Sequence, residues 1–135
     1  MVTRLGRRLI AIEQPILAEH GVTMWGYIVL SALAALTDVS GDGEPVRTQA
    51  ALARAIGADK TRIIGVLDDL QERGYIERRP DPADRRVHLL ALADAGREVH
   101  RAVRAAIRRE EERLLGELPA EDRAAFLRVL GQLQA

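Results

Sequence analysis

The fold is decided by residues 59–92, which read DKTRIIGVLDDLQERGYIERRPDPADRRVHLLAL. The apolar residues of the first half recur at intervals of three or four: Ile63, Val66, Leu67 and Leu70. That spacing is the period of a helix with one buried face, and Gly74 stands where such a helix ends. The second half changes period, because two β-prone runs at 75–79 and 87–92 flank a tip that contains two prolines. The stretch therefore predicts a helix followed directly by a β-hairpin.

A shorter helix is predicted immediately upstream. It runs from Thr48, which can cap its N-terminus, to Ile56. The connection 57–59 contains a glycine and is three residues long. Two short helices across such a turn are typical of a helix-turn-helix motif, and the hairpin that follows makes it a winged one.

Helical periodicity continues on both sides of this motif. The first helix is predicted over 5–19, with a kink at Pro15, and the second runs from the cap Thr23 to about Val39. A turn-rich break is expected at 40–45.

A long helix follows Gly96 and a last one follows Pro119. We therefore expect one domain of 135 residues, mainly α with a small β-hairpin wing: a winged helix-turn-helix with terminal helices on either side.

Composition excludes several classes of function. The 20 basic and 20 acidic residues cancel, so a nucleic-acid surface has to arise from local placement of charge. The absence of cysteine excludes disulfides, thiolate metal sites and thiol nucleophiles. No apolar run is long enough for a membrane span, so we expect a soluble, cytoplasmic protein. His20, His88 and His100 lack metal-ligand spacing, and we expect no metal and no cofactor.

The order of elements and one segment resemble the MarR family of bacterial transcription regulators. The segment joins Leu67-Asp68-Asp69-Leu70, Arg73-Gly74-Tyr75-Ile76 and the run RRPDPADRR at 78–86, in the pattern of the family's recognition helix and wing. The resemblance covers nearly the whole chain. It implies a winged-helix DNA reader that works as a homodimer on a pseudo-palindromic duplex and often responds to a small ligand. Residues 23–92 would form the DNA-binding region, and 1–20 with 97–135 the dimerisation helices.

Three residues depart from the family's capping pattern: Gly26, Ala51 and Ala93. The family usually has glutamine at the first position, often glutamate at the second and commonly threonine at the third. A lost cap costs about 0.5–2 kcal/mol, so the departures predict weaker helix ends. Asp94 is expected to take over as the cap of the fifth helix.

The recognition helix holds the first candidates for DNA contact. With the apolar stripe facing the core, four residues are expected on the open side near its N-terminus: Lys60, Thr61, Arg62 and Gly65. We predict that Arg62 bonds guanine O6 and N7, that Thr61 packs on a thymine methyl group, and that Gly65 admits a close approach. The alternative is that Lys60 and Arg62 are ordinary solvated charges, although a helix dipole disfavours cations at this end.

The wing tip and the third helix supply the remaining DNA candidates. By resemblance, either Arg85 or Arg86 enters the minor groove, where negative potential is concentrated. The alternative for each arginine is an ion pair with Asp81 or Asp84, which can also bond turn backbone. Three residues at the start of the third helix are expected near a phosphate: Arg47, Thr48 and Gln49.

The terminal helices carry more apolar surface than a winged helix needs, which favours a dimer interface. The residues are Leu5, Leu9, Ile12, Ile16, Leu114, Leu118, Phe126, Leu130 and Leu133. Internal packing among these helices is the alternative. The resemblance also implies a site for a small aromatic or amphipathic effector, with the candidates Ile12, Ile16, His20, Trp25 and Tyr27. A core or interface role is the alternative for Trp25.

Together these features favour a sequence-specific transcriptional regulator, as a homodimeric repressor relieved by a small molecule. The alternative is a winged-helix module for protein contact without DNA binding, against which the basic wing argues. A hydrolase built on Asp81, Asp84 and His88 is disfavoured because no nucleophile lies nearby. We therefore expect a protein that is not an enzyme.

Overall fold

The computed structural model describes residues 2–40 and 47–134, with side chains over 7–35 and 48–133. The described residues form α1 (Val2–Glu19), α2 (Met24–Ser40), β1 (Arg47–Thr48), α3 (Gln49–Ile56), α4 (Lys60–Glu72), β2 (Ile76–Pro80), β3 (His88–Leu92), α5 (Asp94–Leu115) and α6 (Ala120–Gln134). The predicted fold class, mainly α with a β-hairpin wing, is confirmed. Of the predicted break at 40–45, residue 40 ends α2, and the rest lies outside the described residues.

Short polar caps and left-handed glycines fix the ends of the helix-turn-helix. The Thr48 hydroxyl accepts from the backbone N–H of Ala51 at 3.1 Å, and the Asp59 carboxylate accepts from the N–H of Arg62 at 2.7 Å. Gly57 ends α3 at φ 69° and Gly74 follows α4 at φ 78°, a region that favours glycine. The predicted turn 57–59 is therefore the connection between α3 and α4.

The wing belongs to a three-stranded antiparallel sheet with the order β1-β3-β2. In the hairpin Ile76 pairs with Leu92 and Pro80 with His88, so both strands begin one residue later than predicted. Strand β1 was not predicted. It has two residues, Arg47 and Thr48, which pair with Leu90 and Leu89, and two residues are too few to show an alternating pattern.

One apolar core holds the helices against the sheet. Its most deeply buried side chains are Leu17, Val29, Leu30, Leu33, Leu52, Ile63, Leu67, Leu70, Leu90 and Val103. Three of the four residues predicted for the buried face of α4 are in this core, and the fourth, Val66, packs against it half-buried. The predicted orientation of α4 is therefore confirmed.

Helix α5 starts earlier than predicted, and Gly96 is the reason. The N-cap is Ala93, with no side-chain cap bond, so the predicted capping role of Asp94 is wrong. The backbone N–H of Ala93 instead donates to the carbonyl oxygen of Tyr75 at 3.0 Å. A Cβ atom on Gly96 would lie 2.0 Å from that same oxygen. A close contact with the β2 end of the wing therefore fixes the helix start.

The start of α2 shows the same kind of close packing. Thr23 caps the helix as predicted, since its hydroxyl accepts from the N–H of Gly26 at 3.0 Å. A Cβ atom on Gly26 would lie 3.4 Å from the side chain of Leu70 in α4. The same Cβ atom would lie 3.0 Å from the Thr23 hydroxyl, so the tightest contact at this position is with the cap of the helix itself.

The terminal helices differ in burial. Helix α1 runs through Pro15 as one helix and buries Ile16 and Leu17. By contrast, all described side chains from Leu118 to Leu133 are exposed, and Leu133 is 78% exposed. Within one chain α6 is therefore only partly covered, so neither the dimer interface nor the internal packing considered as its alternative is decided by burial. Within the described residues, no single helix is long and apolar enough to cross a membrane. The segments Arg7–Glu19 and Met24–Ala35 reach that length and apolar character only together, and they are bent by 86° relative to each other.

Candidate nucleic-acid interface

The first two turns of α4 form an open surface opposite the buried stripe. Lys60, Thr61, Arg62 and Gly65 are all exposed, as predicted from the helical period. Ile64, which was not predicted, is also at this surface with 39% of its area exposed. The signal was available, because at 3.6 residues per turn position 64 falls outside the stripe formed by Ile63 and Leu67.

Arg62 is held by an aromatic ring. The central guanidinium carbon lies 5.2 Å from the centroid of the Trp25 ring, which comes from the first turn of α2. Trp25 is half-buried, whereas Arg62 is exposed. Two residues that the sequence assigned to different sites, DNA contact and effector binding, therefore touch each other.

Two arginines, one on each side of α4, bind acidic side chains near its C-terminal end. Arg73 Nε donates to both carboxylate oxygens of Asp69 at 3.1 Å, and its terminal nitrogen donates to the carbonyl oxygen of Gly21 at 2.8 Å. On the other flank, Arg78 of β2 pairs with Asp68 and donates from Nε to Gln71 at 2.6 Å. Asp68 and Asp69 are thus both paired with arginines, and Arg78 attaches the wing to α4.

The wing tip is stiffened by its two aspartates. Asp81 accepts from the N–H of Ala83 at 2.9 Å, and Asp84 accepts from the N–H of Arg86 at 3.1 Å. The Arg86 Nε also lies 3.2 Å from Asp84, while its side chain is 91% exposed. Within the part of the chain that the structure describes, Arg85 forms no ion pair. The alternative considered for these arginines therefore holds for Arg86 and not for Arg85.

The start of α3 lies beside the central strand. Thr48 and Gln49 are half-buried, and the Thr48 hydroxyl is engaged as the helix cap. The backbone of Arg47 pairs with Leu90, but its side chain lies outside the described part of the structure.

The predicted effector residues lie along the α1–α2 junction in different environments. Ile16 is in the core and Ile12 is half-buried. His20 places Nδ1 2.9 Å from the carbonyl oxygen of Ile16. Tyr27 stacks on His100 of α5 with a centroid distance of 5.5 Å, and Trp25 faces Arg62. Their binding role stays a prediction.

A cavity of about 450 Å³ lies elsewhere, between α1, α5 and α6. It is lined mainly by apolar residues: Leu9, Leu114, Leu115, Leu118, Phe126, Leu127 and Leu130. Its charged lining residues include Arg8 and Glu117, which form an ion pair at 3.5 Å. Nearby, burial and the negative charge of Glu111 raise the pKa of Glu13.

Known transcriptional regulators are similar to this chain in sequence. NicR, a transcriptional repressor from Pseudomonas putida, is 31% identical over 86 residues, which are 64% of this chain and 54% of NicR. The alignments span 54% and 66% of the length of the curated relatives that the chain matches.

Two solved structures have the same fold over almost the whole chain. The repressor CouR, bound to a 23-mer DNA duplex, is 28% identical with a TM-score of 0.79, over 99% of this chain and 89% of CouR. The regulator PcaV from Streptomyces coelicolor, in complex with its natural ligand, is 30% identical with a TM-score of 0.68, over 96% of this chain and 89% of PcaV. The model of the MarR family matches residues 20–87, just over half of the chain. The chain therefore belongs to the MarR family, whose members are transcriptional regulators and not enzymes.

Proposed function

We propose that this protein is a homodimeric transcriptional repressor that binds a pseudo-palindromic duplex and releases it when a small effector binds. One observation carries the proposal: the exposed, cation-bearing first turns of α4 belong to the same rigid unit as an arginine-tipped wing. The unit is rigid because Arg78 joins β2 to Asp68 and Gln71 of α4. CouR, solved on DNA, and NicR, named a repressor, support the proposal.

Each part of the unit has a distinct role in binding. Phosphate neutralisation supplies most affinity, and base edges supply sequence preference. Lys60, Thr61, Arg62 and Gly65 would read the major groove. Either Arg85, which forms no ion pair with the described residues, or Arg86, which Asp84 orients, would enter the minor groove. Arg47, Thr48 and Gln49 would face the phosphate backbone at the start of α3.

Dimerisation is supported by the exposed apolar face of α6. Phe126 and Leu130 are each 39% exposed, and Leu127 is 48% exposed. A second copy would cover this face and place two reading units about a two-fold axis, as a palindromic site requires.

A small effector would control DNA binding in the proposed function. The support is PcaV, which was solved with its natural ligand. We place the effector, a small aromatic or amphipathic molecule, at the α1–α2 junction near the residues Ile12, Ile16, His20, Trp25 and Tyr27. Release of labelled DNA by a panel of aromatic acids, compared between the wild type and His20→Ala, tests this assignment. Equal release from both proteins would remove His20 from it.

Selection of bound duplexes from random sequence tests the DNA-binding function. We expect a palindrome to be enriched, with binding that weakens steeply as salt rises. The double variant Arg62→Ala, Arg86→Ala should lose this binding. The matched control is Arg109→Ala, Arg113→Ala, which removes the same charge from α5 and should keep it. Absence of enrichment together with absence of binding at low salt would overturn the function and leave the protein-contact module.

A further inference from the structure

Arg62 differs from the ion-paired arginines of the chain in the kind of group that it contacts. Six other arginines form ion pairs with carboxylates: Arg8, Arg73, Arg78, Arg79, Arg86 and Arg113. Arg62 forms none with the described residues and lies instead over the ring of Trp25. The carboxylate of Asp59 is close in sequence, but it caps α4 by accepting from the backbone N–H of Arg62.

We propose that Trp25 is a positioning residue for sequence reading: its ring holds the Arg62 guanidinium at the edge of α4 in the orientation that meets a guanine. The inference rests on the proposed DNA-binding function. It assigns to Trp25 a role separate from effector binding.

The chemistry of the contact explains why an aromatic partner suits a reading residue. A carboxylate would occupy the N–H donors of the guanidinium and cancel its charge. A ring attracts the cation through its π-face and consumes no hydrogen-bond donor, so the donors on the guanidinium edge stay available for guanine O6 and N7. The contact also restricts a flexible side chain before DNA arrives, which lowers the entropy cost of binding.

The ring itself is held in a fixed place. Trp25 follows the cap Thr23 and precedes Gly26, which packs closely on Leu70 of α4. Further along α4, Arg73 bonds the carbonyl oxygen of Gly21 at 2.8 Å. Besides the Trp25–Arg62 contact, the start of α2 is therefore joined to α4 by this hydrogen bond and by the packing of Gly26 against Leu70.

The contact can be tested without DNA, because Trp25 is the sole tryptophan of the chain. A cation against the ring perturbs the excited indole, so Arg62→Ala should change the emission of the free protein. Arg101→Ala removes a cation from the exposed face of α5 and should leave the emission unchanged. Identical emission from Arg62→Ala and the wild type would overturn the proposal.

The reading role is tested by DNA selection with Trp25→Phe, which keeps an aromatic face, and Trp25→Leu, which does not. We expect Trp25→Leu to lose roughly fivefold in discrimination at one base pair of each half-site, as a partly exposed cation–π contact would give. Arg62→Ala should lose discrimination at the same base pair, and Trp25→Phe should retain most of it. Adding Trp25→Leu to Arg62→Ala should cause no further loss at that position.

The outcomes separate this inference from the proposed function. If the wild type shows no sequence preference, both fail. If the wild type shows a preference and Trp25→Leu shows the same one, only the role of Trp25 fails. Melting curves of Trp25→Phe and Trp25→Leu show whether either variant has a folding defect. If Trp25→Leu does not fold, the discrimination kept by Trp25→Phe and the emission of Arg62→Ala test the role of Trp25. A uniform loss of affinity for every sequence, without a change at one base pair, would also overturn the positioning role.

Discussion

Gly65 is the residue at which folding stability and the proposed contact with DNA make opposite demands. It lies in the interior of α4, and a Cβ atom there would meet nothing within 4 Å. Gly65→Ala should therefore raise the free energy of unfolding by about 0.5–1 kcal/mol. DNA affinity should fall at least about fivefold, because forcing a methyl group into a close contact costs about 1–3 kcal/mol. Denaturant unfolding and a DNA titration measure the two effects, and a more stable variant with unchanged DNA affinity would show that Gly65 does not approach the duplex.

Substitution of Arg62 and substitution of Arg86 should change DNA binding in different ways. Arg62→Ala should relax preference at one position, as argued above, whereas Arg86→Ala should weaken binding to every sequence because groove potential is not base-specific. We expect the slope of log affinity against log salt to drop by about one for Arg86→Ala. Arg113→Ala, which removes an exposed cation from α5, is the control and should keep the wild-type slope. Equal sequence profiles for Arg62→Ala and Arg86→Ala would contradict the assigned roles.

The sequence predicted which residues are exposed better than which residues touch. The period of Ile63, Leu67 and Leu70 sets the open face of α4, because helix geometry repeats regardless of tertiary context. The partner of Arg62 is 37 positions away in the chain, and no local pattern indicates it. Asp81 and Asp84 were equally plausible partners for the wing arginines, and only the turn geometry selects Asp84 for Arg86.

Strand β1 and the start of α5, which the sequence did not predict, share one physical cause. Strand β1 exists because two residues pair with β3, and α5 begins at Asp94 because Ala93 and Gly96 pack on the carbonyl of Tyr75. Contacts between elements, and not the propensity of the local sequence, set these boundaries. The capping rule that favoured Asp94 was overridden by this packing.

Gly96 should therefore be the glycine least tolerant of substitution among those described in helices. A Cβ atom 2.0 Å from the Tyr75 oxygen forces α5 away from the wing. We expect Gly96→Ala to lower the free energy of unfolding by about 1–3 kcal/mol or more, the cost of overpacking a tight contact. Gly65→Ala is the matched control, since the same methyl group enters open space there. Equal melting temperatures for the two variants would contradict the close contact.

The packing of α1 against α5 should depend on pH through Glu13. Burial and the charge of Glu111 raise its pKa in the folded protein, so the folded state favours the protonated carboxyl. This contribution is fully present below the unfolded pKa of about 4.3 and is lost as pH rises through the folded pKa. Glu13→Gln should therefore be more stable than the wild type near neutral pH and similar to it in acid. Unfolding across pH measures this, and a constant difference between the two proteins would rule out the shift.

At the scale of the whole molecule, the helix α4 is held on both flanks. Trp25 and the Gly21 carbonyl attach one flank to the start of α2, and Arg78 attaches the other to the wing. The proposed reading unit is therefore held together within one chain. In the proposed dimer, two such units can match two half-sites only if the link between the chains is equally well defined. The exposed face of α6 is the surface available for that link.

The exposed apolar residues of α6 form the proposed dimer interface. Phe126 and Leu130 are each 39% exposed in the single chain, so Phe126→Asp with Leu130→Asp places two charges on the proposed interface. We expect monomers in sedimentation experiments, as for a chain truncated before Pro119. Affinity for the full palindrome should fall towards that for a single half-site, because each monomer then binds one half-site alone. Ile64→Asp adds one charge to an exposed apolar residue outside the terminal helices and should remain dimeric. A double variant that still sediments as a dimer would show that the two copies associate through another surface.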